Sequence, residues 1–355
     1  MSDKVPINKG NYSMDTAERL ELFEANRALG WEKGYREYRD NWSMYPKTQQ
    51  VSEYPLQVDI ELSSLCNLKC PMCFTRTDEF KSKVHTQLMD INLFEKIINE
   101  IAGKVPAVRL SLRGESTLHP QFVYCIEYCK KNGIKEVSFL TNASKMDKEY
   151  FTQIAVAGAD WITVSIDGVG SQYEEIRKPL KFQDTLQKLK DIAEIKKVNG
   201  WKRPVIKIQG IWPAIKDNPS EYYNTLAPYV DLVAFNPLID YLGKDEDIVY
   251  ENNFLCPQHY QRLLVGSDGK VLPCSNDEEE RYIVGDANME SIYSIWHGER
   301  LNHVRELHKS GKFCELEVCR KCFLPRATED NEVAIVNDRE IIIKNYINRK
   351  QTIGE

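Results

Sequence analysis

The sequence predicts an α/β fold: a partial (β/α)6 barrel on a parallel sheet, followed by a small C-terminal cysteine-bearing domain. Three observations carry this. Between residues 56 and 235, six short apolar strand-like runs alternate with segments of helical periodicity, the pattern of βα units. The unusual polar groups of that stretch follow strand ends, where open α/β sheets bind their ligands. After about residue 250 the alternation gives way to a hairpin signal and clustered cysteines. Six units are too few to close an eight-unit barrel, so the barrel is partial.

Residues 1–55 form an N-terminal extension, polar and aromatic, with a helix expected around Thr16–Leu29 and no strong strand. The barrel is assigned to residues 56–245. Its first strand, Leu56–Leu62, runs directly into a cysteine loop. Ile91–Ile101 reads as a helix that Asp90 can cap. Ala107–Leu112 is the second strand, and the helix Gln121–Lys131 is closed by Gly133. Glu136–Leu140 and the helix Lys148–Ala157, ending at Gly158, form the third unit. Trp161–Ile166 and Phe182–Val198, ending at Gly200, form the fourth. Val205–Gln209, a short helix Ser220–Leu226 and a last strand Leu232–Phe235 complete the barrel.

The C-terminal domain is assigned to residues 246–326. Arg262–Val265 and Lys270–Leu272 flank Gly266-Ser-Asp-Gly269, a hairpin signal. Ser291–His308 is helical with an interruption at Gly298. Residues 327–355 are a charged, β-branched tail to which no structure is assigned.

The chain has 355 residues and a net charge of -6, with a pI of about 5.7. No basic block appears, so a nucleic-acid partner is excluded. No apolar run approaches the roughly 20 residues that span a bilayer. The start, Met1-Ser-Asp-Lys-Val-Pro6, lacks the apolar core of a signal peptide. The expected location is therefore cytoplasmic, without a membrane partner. Ten cysteines in such a setting read as metal ligands or reactive thiols.

Three of them lie in Cys66-Asn-Leu-Lys-Cys70-Pro-Met-Cys73. Three thiolates can hold three irons of a [4Fe-4S] cluster and leave the fourth iron open, whereas a structural site is closed by four ligands. Zinc is the alternative, but the nearest downstream histidine is His85, twelve residues past Cys73.

At these residues the chain resembles the radical SAM superfamily, over roughly residues 55–325. The resemblance implies that S-adenosylmethionine (SAM) chelates the open iron. Reductive cleavage then yields a 5′-deoxyadenosyl radical that takes hydrogen from a substrate carbon, the chemistry being the cofactor's and the aim the protein's. It also implies a reductant such as flavodoxin or ferredoxin. Arg113-Gly114-Glu115 stands where the family carries a Gly-Gly-Glu-like motif that binds the SAM amino group; the first glycine is an arginine here. Asn142 follows the third strand. Ser165 and Asp167 follow the fourth, where the family contacts the SAM carboxylate or ribose. Arg177 stands where many members bind the SAM carboxylate, a partner suited to its bidentate fork. Met72, before the third cysteine, takes a usually aromatic place near the adenine. Singly, each reads equally well as a cap, turn residue or surface charge; in order behind the loop they point to SAM.

Cys256, Cys274, Cys319 and Cys322 form a second set, enough to close a whole cluster. This layout resembles the short "twitch" form of the SPASM extension, which implies one auxiliary [4Fe-4S] cluster beside the substrate. The alternative, a zinc ribbon, usually shows two Cys-x2-Cys knuckles, and only Cys319–Cys322 is present. Cys314 is left over: a replacement ligand, an idle thiol, or a hydrogen donor of the kind radical epimerases use. Cys125 and Cys129 share a stripe with Phe122 and Ile126 and read as core. His119 begins the same helix and either caps it or faces the cavity.

The expected function is dehydrogenation of a small polar metabolite, of carbohydrate or aminocyclitol type, with the auxiliary cluster as electron acceptor or substrate ligand. Asp240 is the candidate base for a substrate hydroxyl, against a plain surface carboxylate. Epimerisation using Cys314 is one alternative. Modification of a ribosomal peptide is another, disfavoured because the N-terminal extension is short for a leader-binding module. A non-catalytic metal scaffold is the alternative outside enzymes.

Overall fold

The computed structural model describes residues 12–237, 247–252 and 254–348. Its strands are β1 (Tyr12–Ser13), β2 (Gln57–Ile60), β3 (Ala107–Arg109), β4 (Glu136–Thr141), β5 (Trp161–Ser165), β6 (Val205–Ile211), β7 (Leu232–Asn236), β8 (Arg262–Val265), β9 (Lys270–Leu272), β10 (Gly285–Asp286), β11 (Thr328–Val336) and β12 (Arg339–Tyr346). Strands β2 to β7 lie side by side in chain order, all parallel, and helices connect each to the next. The six expected βα units are present.

Alternation along these strands separates two environments. Val58, Ile60, Val108, Val137, Phe139, Ile162, Val164, Ile206, Ile208, Val233 and Phe235 join the main apolar core. Of the intervening positions, which face the inside of the curved sheet, Asp59, Arg109, Ser138, Thr163 and Lys207 are polar, while Ala107, Val205 and Leu232 toward the N-terminal strand ends are apolar. The helices bury the other face. In Phe122–Lys131, Phe122, Cys125, Ile126 and Cys129 are all buried, the expected stripe. Caps fall where the sequence placed them: the Asp90 carboxylate accepts from the amides of Asn92 and Leu93, and Gly158 ends Lys148–Ala157 at φ +98°.

The N-terminal extension holds more than the expected helix. Ala17–Ala28 is followed by a second helix, Glu32–Thr48. Its buried face is aromatic rather than aliphatic, so no leucine or isoleucine stripe announced it. Tyr35 and Tyr38 pack with Trp31, Trp42 and Tyr45 against Leu56 and Ala107, at the N-terminal ends of β2 and β3. Arg27 forks onto both carboxylate oxygens of Glu136 at the start of β4, each at 2.9 Å. The extension thus covers the end of the barrel opposite the cysteine loop.

The hairpin β8–β9 forms as expected, but β8 also pairs parallel with β2. One sheet therefore runs β1-β7-β6-β5-β4-β3-β2-β8-β9-β10. The tail to which no structure was assigned contains an antiparallel hairpin, β11–β12. Asn337 and Asp338 form its turn at φ +49° and +63°, the left-handed conformation these residues tolerate. Ala334, Val336 and Ile343 enter the main core. Among the described residues no helix is long and apolar enough to cross a membrane.

Candidate active site and metal centres

The chain leaves β2 at Ile60 and enters the cysteine loop after five residues. The approach is pinned on one side by Ser64, whose amide donates to the Gln87 carbonyl at 3.1 Å. Cys66 is exposed, Cys70 buried and Cys73 between the two. The Cys73 amide donates to the Cys70 carbonyl at 3.1 Å, closing a tight turn. Burial pushes the Cys66 thiol up and the Cys70 thiol up to about 11, so metal binding here releases protons.

The Arg113-Gly114-Glu115 turn lies directly on the approach to the loop. The Glu115 amide donates to the Leu65 carbonyl at 2.7 Å. Gly114 has φ +38°, and a Cβ there would stand 2.5 Å from the Leu65 oxygen, 2.6 Å from the Ser64 carbonyl carbon, and against the Ser63 oxygen. Only glycine fits. The buried Glu115 carboxylate accepts through Oε1 from the hydroxyls of Thr117 (2.6 Å) and Thr141 (2.7 Å). Through Oε2 it accepts from the Asn142 amide at 2.7 Å, and Oε2 keeps room for a further donor. Asn142 then reaches the cysteine loop itself: its Nδ2 donates to Asn67 Oδ1 at 2.8 Å.

Asp167 and Arg177 meet each other. Asp167 Oδ2 accepts from Arg177 Nε at 2.7 Å and Nη2 at 2.5 Å. Burial lowers the Arg177 pKa, but the charges of Asp167 and Cys70 outweigh it, so the guanidinium stays charged beside the cysteine loop. The Ser165 side chain, at the end of β5, makes no hydrogen bond among the described residues. Met72 is half-buried against the main core. His119 caps and packs: its Nδ1 accepts from the Gln121 amide and its Nε2 meets the Met89 carbonyl at 3.0 Å. Asp240 lies outside the described residues.

Arg113, the departure from the motif, has a structural role that the sequence did not reveal. It is buried, and its Nε and Nη2 fork onto Glu61 at 2.7 and 2.6 Å. Its Nη1 donates to Glu280 at 2.8 Å and to the Glu278 carbonyl at 3.2 Å. Glu61 also accepts from the Ser267 amide at 2.9 Å. The arginine therefore ties the end of β2 to the C-terminal segment. Burial lowers its pKa, and the bonds and charge of Glu61 more than restore it.

Cys256, Cys274, Cys319 and Cys322 line one pocket together with Phe254, His259, Asn276, His308 and Leu324. Burial pushes Cys256 up to about 12 and Cys322 up to about 11, and raises Cys274 and Cys319 well above the usual thiol value. Asn276 Nδ2 donates to the Cys322 sulfur at 3.1 Å. Cys314 sits in the short turn Phe313–Glu315 and packs against the surrounding apolar cluster without lining the pocket. Sequence reasoning missed His259 and His308, although Cys256-Pro-Gln-His259 has a ligand-like spacing.

The donor sets, three thiols in one loop and four around one pocket, are of the all-thiolate kind that holds iron–sulfur clusters. Tetrahedral zinc, with Zn–S near 2.3 Å, brings sulfurs to about 3.8 Å of one another. Among the described residues the one group of three potential ligands gathered within 4.8 Å is His259, His308 and Cys319.

The inner face of the sheet beneath the loop is polar and carries cations. Burial, with repulsion from Arg109 and Arg27, pushes Lys207 down to about 7 from its usual 10.5. Below the lower value both the folded and unfolded chains are protonated, and the folded chain bears the buried charge in full. Between the two values unfolding takes up a proton, so stability rises with pH. Lys207→Met is expected to flatten the rise of Tm from pH 7 to 9, as read by calorimetry. An unchanged pH slope would contradict this account of Lys207.

This fold and this site define a radical SAM protein: residues 60–212 match the radical SAM superfamily. Residues 256–323 match the SPASM iron–sulfur cluster-binding domain, so the chain belongs to the radical SAM enzymes that carry a SPASM domain. The family brings a [4Fe-4S] cluster and SAM to the first site and auxiliary iron–sulfur binding to the second. The chain is 26% identical over 262 residues to a tungsten-containing aldehyde ferredoxin oxidoreductase cofactor-modifying protein of Pyrococcus furiosus, covering 70% of this chain and 71% of that one. Among solved structures it resembles BtrN in complex with AdoMet and 2-DOIA, with a TM-score of 0.52 at 15% identity, over 77% of this chain and 94% of that one. It also resembles Streptococcus suis SuiB bound to S-adenosylmethionine, with a TM-score of 0.54 at 15% identity, over 82% and 78%.

Proposed function

We propose that this enzyme dehydrogenates a small polar metabolite, a carbohydrate or aminocyclitol alcohol, to a carbonyl. The observation that carries the reading is the second pocket. Four thiols around one cavity close a cluster with protein ligands alone and so favour an electron-transfer role over substrate binding. The polar inner face of the barrel, with Ser111, Thr163 and Ser165 among its residues, suits a hydroxylated substrate. Solved relatives of this fold hold either a small molecule, as in BtrN with 2-DOIA, or a precursor peptide, as in SuiB with SuiA; the polar interior favours the former.

A cluster held by Cys66, Cys70 and Cys73, with SAM, would supply the radical chemistry that takes one hydrogen atom from the substrate carbon. Completing the oxidation takes a proton from the hydroxyl and one electron from the carbon. Asp240 is the proposed base, and the pocket of Cys256, Cys274, Cys319 and Cys322 the proposed destination of the electron. Glu115 and Asn142 orient the SAM amino end, Ser165, Asp167 and Arg177 its carboxylate and ribose, Met72 its adenine, and Gly114 lets the turn approach. A flavodoxin or ferredoxin supplies the initiating electron. Residues 56–245 serve as the barrel and 246–326 as the auxiliary domain.

Cys319→Ala tests this directly. The variant is expected to keep 5′-deoxyadenosine formation and to lose the carbonyl product at least about 100-fold, a scale typical of losing an essential redox or catalytic group. Unchanged carbonyl formation would remove the proposed electron path. Deuterium incorporated from solvent with no net oxidation would point instead to epimerisation.

A further inference from the structure

The pocket of the second cysteine set contains two histidines that the ligand count leaves unused. His308 lies on the helix Glu299–Lys309 and is 1% exposed. The Cys256 amide donates to its Nδ1 at 3.3 Å. A neutral imidazole that accepts at Nδ1 carries its proton on Nε2, and Nε2 lies 3.4 Å from the Cys319 sulfur. The ring is clamped in that orientation by stacking on Phe313, with centroids 5.6 Å apart and planes 13° apart. It also meets Phe254 edge-on at 6.1 Å.

His259 has the opposite arrangement. It is also 1% exposed, and its Nδ1 faces the Pro273 carbonyl at 3.2 Å, which accepts its one proton. Its Nε2 is left as a lone pair with no hydrogen-bond partner among the described residues. The two rings stand 4.9 Å apart. The pocket thus has one imidazole with a proton to give to a cysteine sulfur and one without.

We propose that His308 is a positioning residue for the auxiliary cluster, its Nε2–H donating a hydrogen bond to the Cys319 sulfur and raising the reduction potential of the cluster. The inference rests on the reading of this pocket as a cluster site. A donor on a ligating sulfur draws off electron density and favours the more negative, reduced state. The Cys256 amide acts through the ring, since it favours the tautomer that makes the donation possible, in competition with the Phe254 backbone, which also reaches the ring. The Asn276 amide on the Cys322 sulfur adds a second donor of the same kind. Together they tune the centre toward accepting an electron.

The test uses anaerobically purified, fully loaded enzyme and an EPR-monitored redox titration. The first cluster is distinguished by the response of its signal to added SAM. His308→Phe keeps the ring and its stacking but removes the N–H. It is expected to shift the reduction equilibrium of the auxiliary cluster about tenfold toward the oxidised form, or about 59 mV for one electron. His308→Gln, which keeps a donor, should recover most of the shift. His259→Phe should leave the potential within about threefold, since that ring has no proton to give. A potential unchanged in His308→Phe at full iron content overturns the proposal, as does an equal shift in His259→Phe. Nitrogen hyperfine coupling of directly bound strength would overturn it in favour of ligation. If His308→Phe loses the cluster, His308→Gln decides: near wild-type potential supports the proposal, and loss there too overturns it. Product analysis of Cys319→Ala stands apart from these readings, so dehydrogenation can fail while the hydrogen bond holds.

Discussion

Alanine at Gly114 is expected to remove the first cluster and lower SAM cleavage at least about 100-fold, while the second cysteine pocket keeps its iron. Two effects combine. A φ of +38° puts an L-residue in the left-handed region, at about 1–2 kcal/mol. The added methyl also meets the carbonyls of Ser63 and Leu65 at the approach to Cys66, and overpacking of this kind costs about 1–3 kcal/mol. The sum matters less than where the strain goes. The obstructing atoms belong to the segment that delivers Cys66, so relief displaces the loop, and an ångström of misplacement at a reacting centre is worth about 100-fold. Iron should fall from about eight per chain to about four, the content of one remaining [4Fe-4S] cluster. Gly133→Ala is the control: φ is +82° there, but nothing lies within 4 Å of the new methyl. It should cost about 1–2 kcal/mol in stability and nothing in cleavage. Full iron and full cleavage in Gly114→Ala would show that the turn can retreat without the loop.

The barrel was legible because its strands are β-branched runs and its helices end in glycines and begin at caps such as Asp90. What escaped has physical reasons. Glu32–Thr48 buries tyrosines and tryptophans, whose amphipathic character blurs the helical stripe. The β11–β12 hairpin was readable after the fact, through the Asn337-Asp338 turn and the apolar alternation of Ala334 and Val336. At the site, the cysteines and Glu115 announce themselves by spacing, because the family chemistry fixes their order. The partners of Arg113 do not: Glu61 and Glu280 lie 52 and 167 residues away in sequence, and only the folded chain brings three such charges together. His308, eleven residues before Cys319, escaped for the same reason.

Arg113→Met is expected to destabilise the chain by about 3–5 kcal/mol, the scale for leaving a buried carboxylate, that of Glu61, without its cation. Glu61 and Glu280 are both buried to within a few per cent; Arg113 is the ion-pair partner of Glu61, whereas Glu280 also holds Lys270 at 2.6 Å. The thermal transition should fall by roughly 10 °C, given about 2–4 °C per kcal/mol in chains of this general size. Arg113→Lys should lie nearer the methionine variant than the wild type, because an ammonium does not reproduce the fork onto Glu61. Arg113→Met combined with Glu61→Gln and Glu280→Gln should regain most of the stability, since neutralising the whole network removes the uncompensated charges. If the triple variant is as unstable as the single, packing rather than charge holds this junction. The iron content separates this residue from its neighbour in sequence. Gly114 faces only the cysteine loop, so its replacement should empty one site. Arg113 holds the end of β2 through Glu61 and the segment after Cys274 through Glu280 and the Glu278 carbonyl. Its replacement should therefore loosen both sites together, and retention of the second cluster in Arg113→Met would argue against that coupling.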